Sequence, residues 1–281
     1  MSTAASAVAT SPNPYAEQAP APPARFLHRL NPLAKLVGPL PAMIIIVFTR
    51  DHATPLAFVV LALVLLLVGA QLRAAVAVAL VVGTAVGVLV LGVTFGVWVD
   101  PSRVDDTTAA ASVVLMQVGD WRFTLAAYLI GLATALRVAA IVLLSLIAGL
   151  TTTGPELVRA MVQNLRVPYR VGYTALAALR FVPRFRHELG VIRAAHRVRG
   201  IDAGRGPVAA VRRSISYAIP LLASAIRHAE RVALAMDARA FGAHERRTER
   251  ILSRWRVRDT VFVAAFWLVT VAIVWAGILA A

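Results

Sequence analysis

The chain has 281 residues, 59% of them hydrophobic, with a mean hydropathy of +0.74, a formal net charge of +15 and no cysteine. That apolar content exceeds the roughly 45–50% usual for soluble domains and points to helices facing lipid, and the missing cysteines exclude disulfides and thiolate metal sites. A charge this large on a soluble chain would suggest nucleic acid, but 21 of the 29 Lys and Arg residues fall between Arg159 and Arg258, with only seven of the 14 acids in or just before that stretch.

Residues 1–24 are rich in Ala, Ser, Pro and Thr, with one acid and no apolar run. They are predicted to form a disordered tail, and without a basic start or an apolar core they do not read as a signal peptide. Five segments then approach the roughly 20 apolar residues that cross a bilayer. They are Leu33–Thr49, Pro55–Ala70, Ala74–Val99, Phe123–Leu150 and Thr260–Ala280. Pro39 and Pro41 should kink the first. The short chain between the first two leaves a re-entrant pair as the alternative there. The fold class is therefore all-α: a polytopic membrane protein of about five transmembrane helices, with a cytoplasmic module of amphipathic helices inserted before the last span. The predicted organisation is a tail at 1–24, four spans at 25–150, the module at 151–259 and the last span at 260–281.

Orientation follows from the excess of Lys and Arg on cytoplasmic loops. The basic segment is placed inside the cell. The loop Asp100–Arg122, with two arginines against Asp100, Asp105, Asp106 and Asp120, falls outside. The N-terminus falls inside, with Arg25, Arg29 and Lys35 beside the first span.

Two features stand out within the spans. Gly83, Gly87, Gly92 and Gly96 have the four-residue spacing that lets helix backbones approach closely. They serve either packing within the bundle or a surface for a second membrane protein. Arg137 lies near the middle of the fourth span, where a charge costs roughly 2.5–3.5 kcal/mol on insertion scales. Either it snorkels from a helix that projects beyond the bilayer, or it makes a polar contact within the bundle.

In the basic segment, Gly154-Pro155-Glu156 reads as a helix start, and Leu157, Met161, Val162 and Leu165 form its apolar stripe. A second helix is predicted from Arg170 to Val182, stopped by Pro183. A third runs from Arg184 to Arg199, with Gly200 as its C-terminal cap. After the Gly204–Pro207 turn a further helix begins, best patterned from Pro220 to Arg239 by Leu222, Ile226, Ala229, Ala233 and Met236. Two amphipathic helices thus end alike, in Val198-Arg199-Gly200 and Ala238-Arg239-Ala240. One such arginine is explained by the helix dipole. The repeated pattern suggests two equivalent docking tips, since a guanidinium flanked by small residues can enter a groove and bind carboxylates or carbonyls.

With these residues in view the chain resembles the transmembrane T component of energy-coupling factor transporters, the EcfT/CbiQ family. The resemblance is carried by Asn31-Pro32-Leu33-Ala34-Lys35-Leu36, by Thr151 to Val158, by Leu179-Arg180-Phe181-Val182-Pro183, by His196 to Gly200 and by Glu230 to Gly242. It implies a non-catalytic scaffold of an uptake transporter in the cell (inner) membrane. Two cytoplasmic ABC ATPases would each take one arginine motif, and a separate S component would bind the vitamin or metal ion (cobalt, for example). Coupling helices moved by ATP binding and hydrolysis would reorient that S component. The family motif is often Ala-Arg-Gly; here Val198 precedes the first arginine and Ala240 follows the second. By this resemblance ATPase docking falls to Arg199 and Arg239 with Val198, Gly200, Ala238 and Ala240.

Other chemistry is sparse in the sequence. No phosphate-binding loop is present, so ATP should be hydrolysed by partner subunits and not here. The six histidines show no paired metal spacing, and no cofactor is expected. The exposed arginines suit anionic lipid heads, and nucleic acid is not an expected partner. The competing readings are an ordinary ABC permease and a membrane-anchored protein that binds lipid or nucleic acid through the basic segment.

Overall fold

The computed structural model describes residues 25–49, 51–99, 113–118, 121–200, 206–244, 248–249 and 251–280. The expected tail at 1–24, the outer-loop charges Asp100, Arg103, Asp105, Asp106 and Asp120, and Arg246, Arg247 and Arg250 lie outside these residues. The described chain divides into two compact units, 25–160 with 253–280, and 161–252. It is almost wholly helical, as an all-α polytopic membrane protein requires.

In the first unit, the leading apolar segment forms α1 (Pro32–Val37) and α2 (Leu40–Phe48). They part at Gly38-Pro39, where proline has no N–H to continue the ladder. Next come α3 (Ala53–Gly69) and α4 (Ala74–Val97). After the stretch outside the described residues follows a short antiparallel hairpin, β1 (Val114–Val118) with β2 (Trp121–Thr124). This corrects the sequence expectation of a plain loop there: Val, Leu, Met and Trp around a tight connection satisfy each other's backbone across a ladder. Thr124 ends β2 and caps the next helix, its Oγ1 accepting from the Ala127 N–H at 3.3 Å. That helix is α5 (Leu125–Thr151), and the last of this unit is α9 (Val257–Ala280). Helices α4, α5 and α9 are each long and apolar enough to cross a membrane unaided.

Helix α5 is the axis of this unit. Leu136, Ala140, Leu143, Leu144 and Ile147 on its buried face pack with Ile46 of α2, with Phe58, Ala62 and Leu66 of α3 and with Phe266 of α9. On its other side it crosses α4 through glycine. A Cβ added to Gly131 would stand 2.3 Å from the Gly92 carbonyl oxygen and 2.4 Å from the Gly96 nitrogen. Ala127 and Ala135, one turn to either side of Gly131, are buried in the same stripe.

Basic N-terminal residues close the C-terminal ends of two helices, whose last carbonyls have no partner within the helix. Arg25 donates to the carbonyls of Leu67 and Ala70 at the end of α3. Lys35, fully buried, donates to the Thr151 carbonyl at the end of α5 at 2.7 Å. Beside it, the Asn31 N–H donates to Asp259 Oδ1 at 2.7 Å, while Asn31 Oδ1 caps α1 by accepting from the Leu33 N–H.

Helix α6 (Gly154–Asn164) connects the two units along the chain. The second unit is built on α7 (Tyr169–Val198) and α8 (Pro207–Asp237). The expected break at Pro183 does not occur: α7 runs through it. Proline removes one hydrogen bond to the Leu179 carbonyl. Both residues lie on the exposed side of the helix, so a carbonyl left without its helical donor is not buried in the protein.

The glycine crossing gives a direct test. Gly131→Ala forces a side chain into backbone and is expected to cost about 1–3 kcal/mol, as overpacking does, seen as a lower melting temperature in detergent. Gly83→Ala meets no atom within 4 Å and should melt like the parent. Equal melting of the two variants would refute the close crossing.

Candidate functional site: two arginine-tipped helix ends

Helices α7 and α8 run antiparallel, held by successive rungs. Tyr169 stacks edge-on against Phe241 at 5.9 Å, and Arg170 donates to the Gly242 carbonyl at 2.6 Å. Further along, Phe181 meets the His228 ring at 4.8 Å, Ser224 donates to Glu188 Oε1 at 2.6 Å, and His196 meets Tyr217 at 5.1 Å. The two histidine–aromatic rungs are reciprocal about the Glu188–Ser224 bond, with a histidine from each helix on an aromatic ring of the other. Burial, then Arg184 and Arg231 nearby, hold the His228 imidazole below its ordinary pKa. Uncharged, it packs as an aromatic ring.

Each helix ends at one of the candidate arginines. Arg199 is the C-cap of α7, and Gly200 after it has φ 69°. The Gly200 N–H donates to the Arg197 carbonyl at 3.1 Å. At the end of α8, Ala238 and Arg239 lead into Ala240, which has φ 52° although it carries a Cβ. The Ala240 N–H donates to the Asp237 carbonyl at 2.9 Å and the Phe241 N–H to the Met236 carbonyl at 3.0 Å. This pair of bonds is the Schellman closure, in which a left-handed residue reverses the chain and turns back the last carbonyls. The sequence pattern of arginine then small residue therefore has a backbone cause: the small residue occupies the left-handed position. Val198, Arg199, Gly200, Ala238, Arg239 and Ala240 are all exposed.

Because the helices are antiparallel, the two tips lie at opposite ends of the pair. Arg239 is level with the start of α7 near Arg170, and Arg199 stands 29 residues further along that helix, about 40 Å at 1.5 Å per residue. The tips differ in support. The chain after Arg239 is clamped to α7 by Arg170, by the Phe241–Tyr169 contact and by the Tyr169 hydroxyl donating to the His244 carbonyl at 2.5 Å. These clamp residues carried no sequence signal, because each acts across the antiparallel pair. A cleft of about 940 Å³ opens beside the clamp, lined by Gln163, Arg166, Tyr169, Arg170, His244 and Glu249 among others. A second exposed feature is the apolar face of α8: Val208, Val211, Ile215, Ile219, Leu222 and Ile226 are all more than half exposed.

The other candidate residues lie in the membrane unit. Gly92 and Gly96 face α5, within 3.0–3.4 Å of its atoms once given a Cβ, whereas Gly83 and Gly87 face open space. The sequence reading missed Gly131, the glycine that meets them, although the Ala127, Gly131, Ala135 spacing was there to be seen. Arg137 of α5 is half-buried, and its Nε is buried without a hydrogen-bond partner.

A left-handed alanine carries a cost of about 1 kcal/mol that glycine lacks. Ala240→Gly is therefore expected to slow amide hydrogen exchange at Ala240 and Phe241 by up to about fivefold. Unchanged or faster exchange would show that the α8 end is not closed in this way.

Comparison with known proteins identifies the family. The family model described as CbiQ, cobalt transport protein, matches residues 23–250. The energy-coupling factor transporter transmembrane protein EcfT of Streptococcus equi subsp. equi is 28% identical over 246 residues, covering 85% of this chain and 87% of that protein. EcfT of Streptococcus thermophilus is 28% identical over 250 residues, covering 85% and 90%. EcfT of Staphylococcus aureus is 32% identical over 139 residues, covering 47% and 52%. With a match across most of its length, from before the Asn31 motif to beyond both arginine tips, the chain belongs to the EcfT/CbiQ family of transmembrane transport proteins.

Proposed function

We propose that this chain is the transmembrane coupling subunit of an energy-coupling factor importer, and that Arg199 and Arg239 each anchor one cytoplasmic ABC ATPase. The observation that carries this reading is the repeated helix end. Two helices close on a left-handed residue directly after an exposed arginine, at opposite ends of one antiparallel pair. A single dipole-compensating arginine would need no such repetition. Tips about 40 Å apart along the helix axis suit two separate globular partners better than one. An ordinary permease docking through one coupling loop would have no use for the pair.

In the proposed cycle the ATPases bind and hydrolyse ATP, and their approach and separation move the two tips. The rungs joining α7 and α8 make that motion a change in the angle between two stiff rods. The exposed apolar face of α8 is then the natural seat for a substrate-binding S component, which supplies the vitamin or metal-ion specificity. The membrane is the cell membrane, with the N-terminus and the coupling helices on its cytoplasmic side. There the remaining exposed arginines contact anionic lipid heads at about 1 kcal/mol each. The unpartnered Nε of Arg137 and the open Gly83–Gly87 face are candidate contacts within the assembled complex.

Co-purification in detergent tests the docking assignment. With cognate ATPases and S component supplied, wild type should recover both ATPase positions, Arg199→Glu or Arg239→Glu alone one, and the double variant neither, while the double variant stays folded by size exclusion. Truncating a buried interfacial charge costs 2–5 kcal/mol, enough for a loss of thirtyfold or more. Charge reversal at Arg246, Arg247 or Arg250 should change recovery little. An even decline across all five arginines, steeper at high salt, would instead mean diffuse electrostatic binding.

Arg137→Ala is expected to lower transport or the stability of the assembled complex while ATPase recovery stays at the wild-type level. Unchanged transport and complex stability would remove Arg137 from the contact set.

A further inference from the structure

The hairpin before α5 has a composition that neither a soluble loop nor a packed strand pair explains. Four successive residues, Val113 to Met116, are apolar and 43–52% exposed. Successive side chains of an extended strand point to opposite faces, and although a bulge between Val114 and Met116 shifts the register there, four consecutive bare apolar residues cannot all share one face of the ribbon. A protein partner seated on one side would leave the other in water.

The location of the hairpin is fixed by covalent connection. Thr124 is both the last residue of β2 and the N-cap of α5, so no linker separates the ribbon from a 27-residue membrane helix. The Leu125 N–H donates to the Val113 carbonyl at 2.9 Å, tying β1 to the same helix end. Phe123 is buried, and a Cβ on Gly96 of α4 would come within 3.0 Å of its ring. Nearby in α4, Trp98 is 85% exposed at the helix C-cap. The ribbon is therefore held at the membrane boundary, at the end of α5 remote from Thr151.

Two opposing constraints set its depth. The ladder of a two-stranded ribbon satisfies only its inward-facing N–H and C=O groups, and the outward-facing ones need partners that the hydrocarbon core cannot supply. Its bare apolar side chains are equally unsuited to bulk water. Only the headgroup and glycerol layer offers hydrogen-bonding partners to the edges and acyl carbon to the side chains, and tryptophans such as the exposed Trp98 are enriched at that depth. We infer that the ribbon of β1 and β2 is a membrane-interface anchor, lying in the headgroup layer of the leaflet opposite the Thr151 end of α5. It holds the N-terminal end of the central helix at a fixed depth while the other end leads to the coupling helices.

The chain has no cysteine, so single labels can be placed directly. Leu115→Cys and Met116→Cys, each carrying a small fluorophore on the full chain in nanodiscs, would be quenched by lipids bearing a nitroxide near the headgroup or near the chain end. Val86→Cys, exposed on α4, serves as the deep reference. At positions 115 and 116 we expect shallow-nitroxide quenching at least twice the deep-nitroxide quenching, and the reverse at position 86. Dominant quenching by aqueous iodide at 115 and 116 would overturn the anchor. Protection from iodide that arises only when an S component is added would also overturn it, in favour of a protein contact. Neither outcome bears on the ATPase-docking assignment.

Discussion

The hydrogen bond from Lys35 to the Thr151 carbonyl is the constraint on which the membrane unit turns. A fully buried ammonium is costly unless paired and hydrogen-bonded. Here it meets the negative end of α5, with Glu156 and Asp259 supplying opposite charge nearby. The carbonyl belongs to the last residue of α5, the most buried of the three long apolar helices, three residues before α6 begins. Asn31 joins the same corner to the start of α9 through Asp259. One polar cluster therefore fixes the N-terminal segment, the end of the central helix and the start of the last one. Its residues explain why Asn31 to Lys35 appears as a compact motif.

At the other end of α5 the packing is of a different kind. Gly131 against Gly92 and Gly96 brings two backbones into contact, and Phe123 closes on Gly96 beside it. A polar clasp at one end and a close-packed crossing at the other leave α5 little freedom to slide. In the proposed coupling role, a fixed helix of this sort would confine motion to the helices that carry the arginines. The α7–α8 pair is built with few buried side chains and a small number of specific rungs. Long exposed helices joined this sparingly can change their mutual angle at small cost in packing.

Much of this was legible in the sequence, for identifiable reasons. Apolar runs of membrane length announce themselves without partners, so α4, α5 and α9 were predicted nearly to their ends. The two arginine tips were legible because helix closure is local: the left-handed residue lies next to the arginine, and Gly200 marks one instance openly. The break expected at Pro183 does not occur because that side of α7 is exposed, so the lost hydrogen bond leaves no buried carbonyl. The hairpin before α5 was missed because a single short strand pair among apolar helices has too little pattern to separate it from a loop.

The sequence by itself determined the membrane class, the three longest apolar helices, the basic segment and the two arginine tips, because each depends on residues close together in the chain. Tertiary structure decided which glycines pack and which stay open, since Gly83 and Gly92 are indistinguishable until α5 is placed. It decided that Lys35 is a buried cap and not merely a marker of the cytoplasmic side. Above all it decided that Arg199 and Arg239 stand at opposite ends of one antiparallel pair. That arrangement depends on contacts between residues dozens of positions apart, and no local pattern encodes it.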